Sequence, residues 1–359
     1  MNKFLPLPIF LAALVAAPFV QAQSVATDPV GAVSITIKGN SDTIVAVPLT
    51  AMPSYSGTVA SAAAGSGTAF NLNVSGTTGW TSNQFANLYY VRMTSGAKNG
   101  MYYTVTANTA GQVTVDTTGD DLSGIAPSDS FKILKYWTLG TLFPPASAGT
   151  AANPLTASAG FGAPQRASQI ILPDNSSAGI NLSSTGTFFF ITGGNWVAAD
   201  TGNPVSNDTI LYPDTYFTIR QPASVSADVA WTSVGSVALT KLTIPLGTRA
   251  AGQQDNHVGV TRPVDLKLSE LGLETGFMDS VGFGSPQRRD LLLVFDNAIA
   301  GFNKSAAKTF FRYAGNWYQA TTGSPIANDQ IVSAGSGLIV RKYQNASATT
   351  ALWANVATY

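Results

Sequence analysis

GGNWVAADTGNPVSNDTI (Gly193–Ile210) returns as AGNWYQATTGSPIANDQI (Ala314–Ile331), with Gly-Asn-Trp, Thr-Gly-x-Pro and Asn-Asp in one order and at one internal spacing. A phrase that recurs whole marks either a ligand site used twice or a unit folded twice. Working outward, GFGAPQR (Gly160–Arg166) returns as GFGSPQR (Gly282–Arg288), and PDN (Pro173–Asn175) faces FDN (Phe295–Asn297). FTIR, ending at Arg220, returns as LIVR, ending at Arg341; AWTSV (Ala230–Val234) returns as LWANV (Leu352–Val356). The offset is nearly constant. Upstream, VGAVSIT…VAVPL (Val30–Leu49) resembles VGSVALT…LTIPL (Val234–Leu246), and TLGTLF (Thr138–Phe143) resembles SELGLE (Ser269–Glu274).

The local pattern is β throughout. VSITIK (Val33–Lys38) and FNLNVS (Phe70–Ser75) alternate with period two, and LYYVRM, MYYTVT, QVTVD, FKILKYW, TFFFIT, YFTIR, TFFRY and GLIVRKY follow between Gly, Asn and Ser turns. LLLVF has the continuous apolar character of a strand covered on both faces. Helix is scarce; the best candidate is Pro263–Leu271, with Pro at a first helical position. The expected fold is all-β: two tandem related β-sandwich or barrel-like units, the first carrying a small β-barrel-like insert. The expected division is a signal peptide (1–22), a first β unit (23–50 and 136–233), an inserted small β domain (51–135) and a second β unit (234–359).

Lys3, the apolar run Phe4–Val20 and the small residues of Val20-Gln21-Ala22 read as a secretory signal cleaved after Ala22. Export to the periplasm, cell surface or extracellular space is expected, with no membrane span and no cysteine to carry a lipid. Charged residues are 11 % of the chain against about 25 % in typical soluble proteins, so Ser, Thr, Asn, Gln and Gly must cover the surface. A formal net charge of zero offers no long-range attraction to nucleic acid.

GNSDTIVAVPL (Gly39–Leu49), YYVRMTSGAKNGMYYTVTANT (Tyr89–Thr109), DSFKILKYWTLGTLFP (Asp129–Pro144) and the GNW…ND…R tail resemble a family of secreted β-rich proteins from verrucomicrobial bacteria that has no assigned activity. The resemblance covers nearly all of the chain after the signal. It implies export and a β-rich build, and it carries over no catalytic residue.

His257 is the single histidine and cysteine is absent, so a His/Cys zinc site is excluded and a Ser-His-Asp triad could use only His257, in the Gly- and Asn-rich AGQQDNHVGV, where a solvated loop is expected. Neither a GxSxG elbow nor a P-loop is present. Asp120-Asp121 reads as a turn cap rather than a pair of glycosidase carboxylates, and SNDT and ANDQ read as turns rather than Ca²⁺ loops. Trp196 and Trp317 are either sugar-stacking platforms or core plugs, and core packing is favoured because large aromatics dominate buried area. Arg166 and Arg288 are candidate anion binders. Arg220 and Arg341, at strand ends, are expected to latch Asp208 and Asp329. No catalytic residue, cofactor or metal is expected. The reading is an exported non-enzymatic structural or adhesive protein of the cell exterior; the alternative is a carbohydrate-binding module on the repeated tryptophans. Partners are a second copy or a cell-surface polysaccharide.

Overall fold

A computed structural model describes residues 28–76, 78–347 and 349–357. The expected signal peptide, 1–22, lies outside the described residues. The chain opens with β1 (Val30–Ile37) and β2 (Ser41–Val45). Six strands then close a barrel: β3 (Pro53–Ala64), β4 (Ala69–Val74), β5 (Tyr89–Met93), β6 (Tyr102–Asn108), β7 (Gln112–Asp116) and β8 (Ser130–Lys135), in the order β3-β4-β7-β6-β5-β8. β9 (Trp137–Thr138), the one-turn helix α1 (Leu139–Leu142), β10 (Gln169–Leu172), β11 (Gly186–Phe190), β12 (Trp196–Ala198), β13 (Ile210–Leu211), β14 (Phe217–Gln221) and β15 (Val229–Ser236) complete the first half. The second half runs through β16 (Leu242–Gly247), β17 (Gln254–Gly259), β18 (Leu266–Lys267), β19 (Leu291–Val294), β20 (Lys308–Tyr313), β21 (Asn316–Gln319), β22 (Ile331–Val332), β23 (Gly337–Lys342) and β24 (Thr350–Asn355).

Each half holds a five-stranded sheet, β12-β11-β10-β14-β2 and β21-β20-β19-β23-β17. Each adds a two-stranded ribbon, β1-β15 and β16-β24, and a short pair, β13-β9 and β22-β18. Strand for strand the two orders are the same. Period-two alternation explains the cores. In the barrel, Leu72, Val105, Val113, Val115 and Ile133 all point inward, while Asn71, Asn73, Gln112 and Thr114 bond side chain to side chain across β4 and β7 on the outside. In the first half, Ile37, Ile170, Phe190, Phe217 and Ile219 fill the space between sheet and ribbon; in the second, Leu246, Leu292, Phe310, Leu338 and Val340 do so. LLLVF is covered on both faces: Leu292 and Val294 turn into the second-half core, while Leu293 and Phe295 pack against Ile44, Ala46 and Tyr216 of the first half.

Two expectations are corrected. LTIPL is β16, and it pairs with the last strand (Ile244 opposite Trp353) as β1 pairs with β15 (Ile35 opposite Trp231). Its counterpart is therefore VSITI rather than VAVPL, and the VGSV at Val234–Val237 belongs to the end of β15 and its exit. Pro263–Leu271 forms strand β18 and a single 3₁₀ turn, Leu268–Glu270, in place of a helix. The α-helical turn sits instead at Leu139–Leu142, started by a capping box in which Thr138 and Thr141 exchange backbone and side-chain hydrogen bonds. Strand β24 pairs with β16 along Thr350–Asn355.

The barrel touches both halves. Trp137, at its exit, donates from Nε1 to the Leu49 carbonyl (2.9 Å), and Arg92 donates to Thr240 Oγ1 (2.9 Å). Thr243 of β16 donates its N–H to the Gly100 carbonyl (2.9 Å). Gly100 has φ +90°, and a Cβ there would meet Thr243 Oγ1 at 2.5 Å, so only glycine fits the contact.

Candidate functional site

The recurring phrase is a turn and a core plug. Trp196 and Trp317 are 0 % and 1 % exposed, so neither ring is open to a sugar. Trp196 donates from Nε1 to the Phe143 carbonyl at 2.8 Å. The Asn of each Asn-Asp holds the Trp backbone: Trp196 N–H donates to Asn207 Oδ1 and Trp317 N–H to Asn328 Oδ1, both at 2.8 Å. Each of these amides also donates to the Asn before its Trp, Asn195 (2.8 Å) and Asn316 (2.9 Å). Backbone bonds from Ala198 to Pro204 and from Gln319 to Pro325, both 3.0 Å, fold the Thr-Gly-x-Pro stretch back along the strand. Trp231 and Trp353 are buried as well.

Arg166 and Arg288 do not converge on an open anion site. Each ends a 3₁₀ turn with Pro as its second residue, gives its Nε–H to the carbonyl of Phe161 or Phe283 at 3.0 Å, and lies over a buried ring. The guanidinium carbons stand 4.6 Å from the Phe189 centroid and 4.7 Å from that of Phe311.

Arg220 and Arg341 are latches, on partners that sequence reading missed. Arg220 grips Asp42 through Nε–Oδ1 and Nη2–Oδ2, both 2.7 Å; Arg341 grips Asp255 at 2.7 and 2.9 Å. Sheet register places them: Arg220 lies opposite Asp42 in β14–β2, and Arg341 opposite Asp255 in β23–β17. The bond with Asp42 holds the Arg220 guanidinium above its ordinary range. The expected partners lie elsewhere. Asp208 is exposed, and Asp329 makes an exposed pair with Lys267 at 2.8 Å.

Each latch also catches a loop from the other half. Arg220 Nη2 donates to Asn303 (2.7 Å) and Arg341 Nη2 to Asn181 (3.0 Å). Asn297 brackets the Ile44 backbone with both amide atoms (2.9 and 2.8 Å), as Asn175 brackets that of His257 (2.8 and 2.8 Å). The recurring PDN and FDN are therefore reciprocal clasps between the halves. Size is complementary where they meet: a Cβ on Gly259 would stand 2.4 Å from that of Ala46, and one on Gly337 2.6 Å from that of Tyr216. His257, expected in a solvated loop, lies buried on β17, its ring edge-on to Tyr216 with centroids 5.5 Å apart. Burial pushes its pKa down, against the opposing pull of Asp255.

A cleft opens where this clasped seam meets the barrel. Its larger neighbour, a 630 Å³ hollow, runs along barrel residues Tyr102–Thr104 and Asp116–Asp120. The cleft itself holds about 520 Å³, and the two share Tyr102, Tyr212, Asp214, Pro245 and Thr350 as walls. Tyr102 heads β6; Tyr212–Thr215 follow β13; Arg249 follows β16. Asp214 accepts hydroxyls from Tyr102 (2.8 Å) and Thr215 (3.2 Å), both on Oδ1, which leaves Oδ2 open among the described residues. Burial raises the Asp214 carboxyl above the usual range, opposed by the Tyr102 hydrogen bond. Tyr212 is 49 % exposed and stands edge-on to buried Tyr136 at 5.7 Å; Tyr90 and Tyr102 pack behind at 4.6 and 6.4 Å from Tyr136. Burial pushes the Tyr90 hydroxyl up to about 12.

The rest of the wall is uncharged and held in place. Asp174 accepts N–H bonds from Ser176 (2.7 Å) and Ser177 (3.0 Å) in a tight Asx turn, and the Ser176 hydroxyl (2.7 Å). With the hydroxyls first among causes, these bonds pull its carboxyl far below the ordinary value. Asn256 pins Gly247 through two bonds, 2.7 and 3.1 Å. Among the described residues no group of three or more His, Asp or Glu is placed to hold a metal ion. Sequence reading missed Tyr102, Tyr212, Asp214 and Arg249. One clue was available: Tyr212-Pro-Asp-Thr stands where the second half has Ser333-Ala-Gly-Ser, so the repeat breaks at the cleft. Asp120 and Asp121 prove to be structural. Asp120 accepts Lys98 and Tyr103 at 2.8 and 2.7 Å, and Asp121 caps Ser123 at 2.9 Å.

Among the described residues no helix is long and apolar enough to cross a membrane. Comparison with family models, with curated proteins and with solved structures finds no match for the chain.

Proposed function

We propose that this is an exported, non-enzymatic adhesive protein of the cell exterior that holds an oligosaccharide in the cleft between the barrel and the two halves. The observation that carries the reading is Tyr212. Its half-exposed ring is braced from behind by buried tyrosines and flanked by Asp214 Oδ2, an open acceptor for a sugar hydroxyl. A sugar presents a C–H face to such a ring and hydroxyls to the surrounding Ser, Thr and Asn. The platform role considered for Trp196 and Trp317 passes to Tyr212 because both indoles are core. The matched strand orders and recurring phrases support an internal duplication, with the barrel as the element that makes the assembly asymmetric.

Glycan-array binding by the mature protein, beside Tyr212→Ala, tests the site; immunogold labelling of whole cells tests its place. Binding that disappears in the folded variant, with label on the outer surface, is expected. Array binding unchanged by Tyr212→Ala would overturn the cleft as the site.

A further inference from the structure

Arg249 is the one feature of the cleft that a neutral sugar leaves unexplained. It is half-buried in the wall, yet among the described residues it forms no ion pair and its guanidinium donates no hydrogen bond. The other arginines named so far are engaged. Arg220 and Arg341 grip carboxylates, Arg92 donates to Thr240, and Arg166 and Arg288 lie over rings while donating to carbonyls.

The base under Arg249 is fixed. Its carbonyl accepts the Asn345 N–H (2.8 Å), and Thr248 beside it donates to the Thr349 carbonyl (3.0 Å). Two glycines flank the guanidinium. Gly179 (φ +140°) and Gly252 (φ +78°) each place a would-be Cβ 3.8 Å from Nη1, so any side chain there would narrow the approach to it. The cleft's own carboxylate, Asp214, is not within ion-pair distance of it, and its Oδ1 is taken by the hydroxyls of Tyr102 and Thr215. A cation is thus held on a rigid backbone at the edge of a cleft, bare of a protein partner.

We infer that the oligosaccharide is an acidic one, and that Arg249 receives the carboxylate or sulfate on its sugar ring. The inference rests on the cleft being the glycan site. Guanidinium matches an oxyanion with two parallel N–H donors, and a partly dried site strengthens that pair. A neutral sugar filling the same space would strip water from the cation and return only uncharged hydroxyl acceptors, weaker than an oxyanion, so discrimination comes from both sides of the comparison. Asp214 Oδ2 then takes a hydroxyl, and Tyr212 takes the ring face.

The test is calorimetric titration of the mature protein with three matched oligosaccharides: an oligouronate, its carboxyl-reduced neutral form, and a sulfated neutral form. Wild type, Arg249→Gln, Arg249→Lys and Tyr212→Ala are compared, each checked for an unchanged melting transition. An acidic arm should bind on the order of tenfold or more tighter than the neutral arm. That preference should fall with added salt, shrink in Arg249→Lys and vanish in Arg249→Gln while neutral binding persists. Preference for the sulfated arm alone would identify the oxyanion as sulfate. Equal binding of acidic and neutral arms, unmoved by Arg249→Gln but lost in Tyr212→Ala, would overturn the role of Arg249 and leave the cleft standing. Failure of every arm would overturn both.

Discussion

Cutting the Arg341 latch should cost far more than cutting an exposed ion pair. The Asp255 side chain is 0 % exposed and that of Arg341 15 %. In Arg341→Ala the carboxylate loses bonds at 2.7 and 2.9 Å and keeps one backbone donor, the Asn181 N–H at 2.8 Å. A buried carboxylate deprived of its cation costs about 3–5 kcal/mol, whereas an exposed pair is worth about 0–1 kcal/mol. The first half supplies a control. The Arg220–Asp42 pair has the same geometry with side chains 26 % and 3 % exposed, so water can reach the abandoned Asp42 more easily and Arg220→Ala should cost less. Urea unfolding of both variants, with Asp255→Leu/Arg341→Leu as the double substitution, gives the numbers. The double variant should be more stable than Arg341→Ala, because no orphaned charge remains. A loss below about 1 kcal/mol in Arg341→Ala would refute the reasoning, since it would place the pair in the exposed class.

Trp317→Ala should destabilise by about 3–5 kcal/mol, as a buried large aromatic does, measured by chemical unfolding. Gly337→Ala should lower the melting temperature through a cost of about 1–3 kcal/mol, because its new methyl would press on Ile44 and Tyr216, each 2.6 Å away. His257 is held neutral by burial, so the unfolded chain, titrating near 6.5, takes up the proton first. Its contribution is complete above that pH and declines as pH falls through 6.5 toward the lower folded value. The urea midpoint should drop between pH 7.5 and 5.5, and His257→Gln should flatten that slope.

The strands were legible because period-two alternation survives even in a chain poor in charge, and the repeated phrases located the same elements in each half. The burial of Trp196 and Trp317 was legible for the same reason: a repeated core needs its plug twice. Partner choice was not. Asp208 is near Arg220 in sequence, but an antiparallel register assigns partners across a sheet, and β14 pairs with β2 from the far side of the barrel. The barrel also breaks the offset between the halves, so LTIPL matched the wrong strand. The cleft gathers Tyr102, Tyr212 and Arg249 from three separate segments that carry no shared phrase. Only the divergence at Tyr212–Thr215 pointed there.

The unequal sizes across the seam bear on the order in which the chain is made. The first half is synthesised before the second, and until then its Ile44 backbone and the Asp42 edge wait for Asn297 and Asn303. Neighbouring copies at that stage expose the same unfilled surface. Two first halves meeting in the native way would bring Tyr216 against Tyr216 and Ala46 against Ala46, where the finished molecule sets Tyr216 against Gly337 and Ala46 against Gly259. The steric misfit keeps nascent chains from marrying each other, and holds the vacancy for the segment still to come.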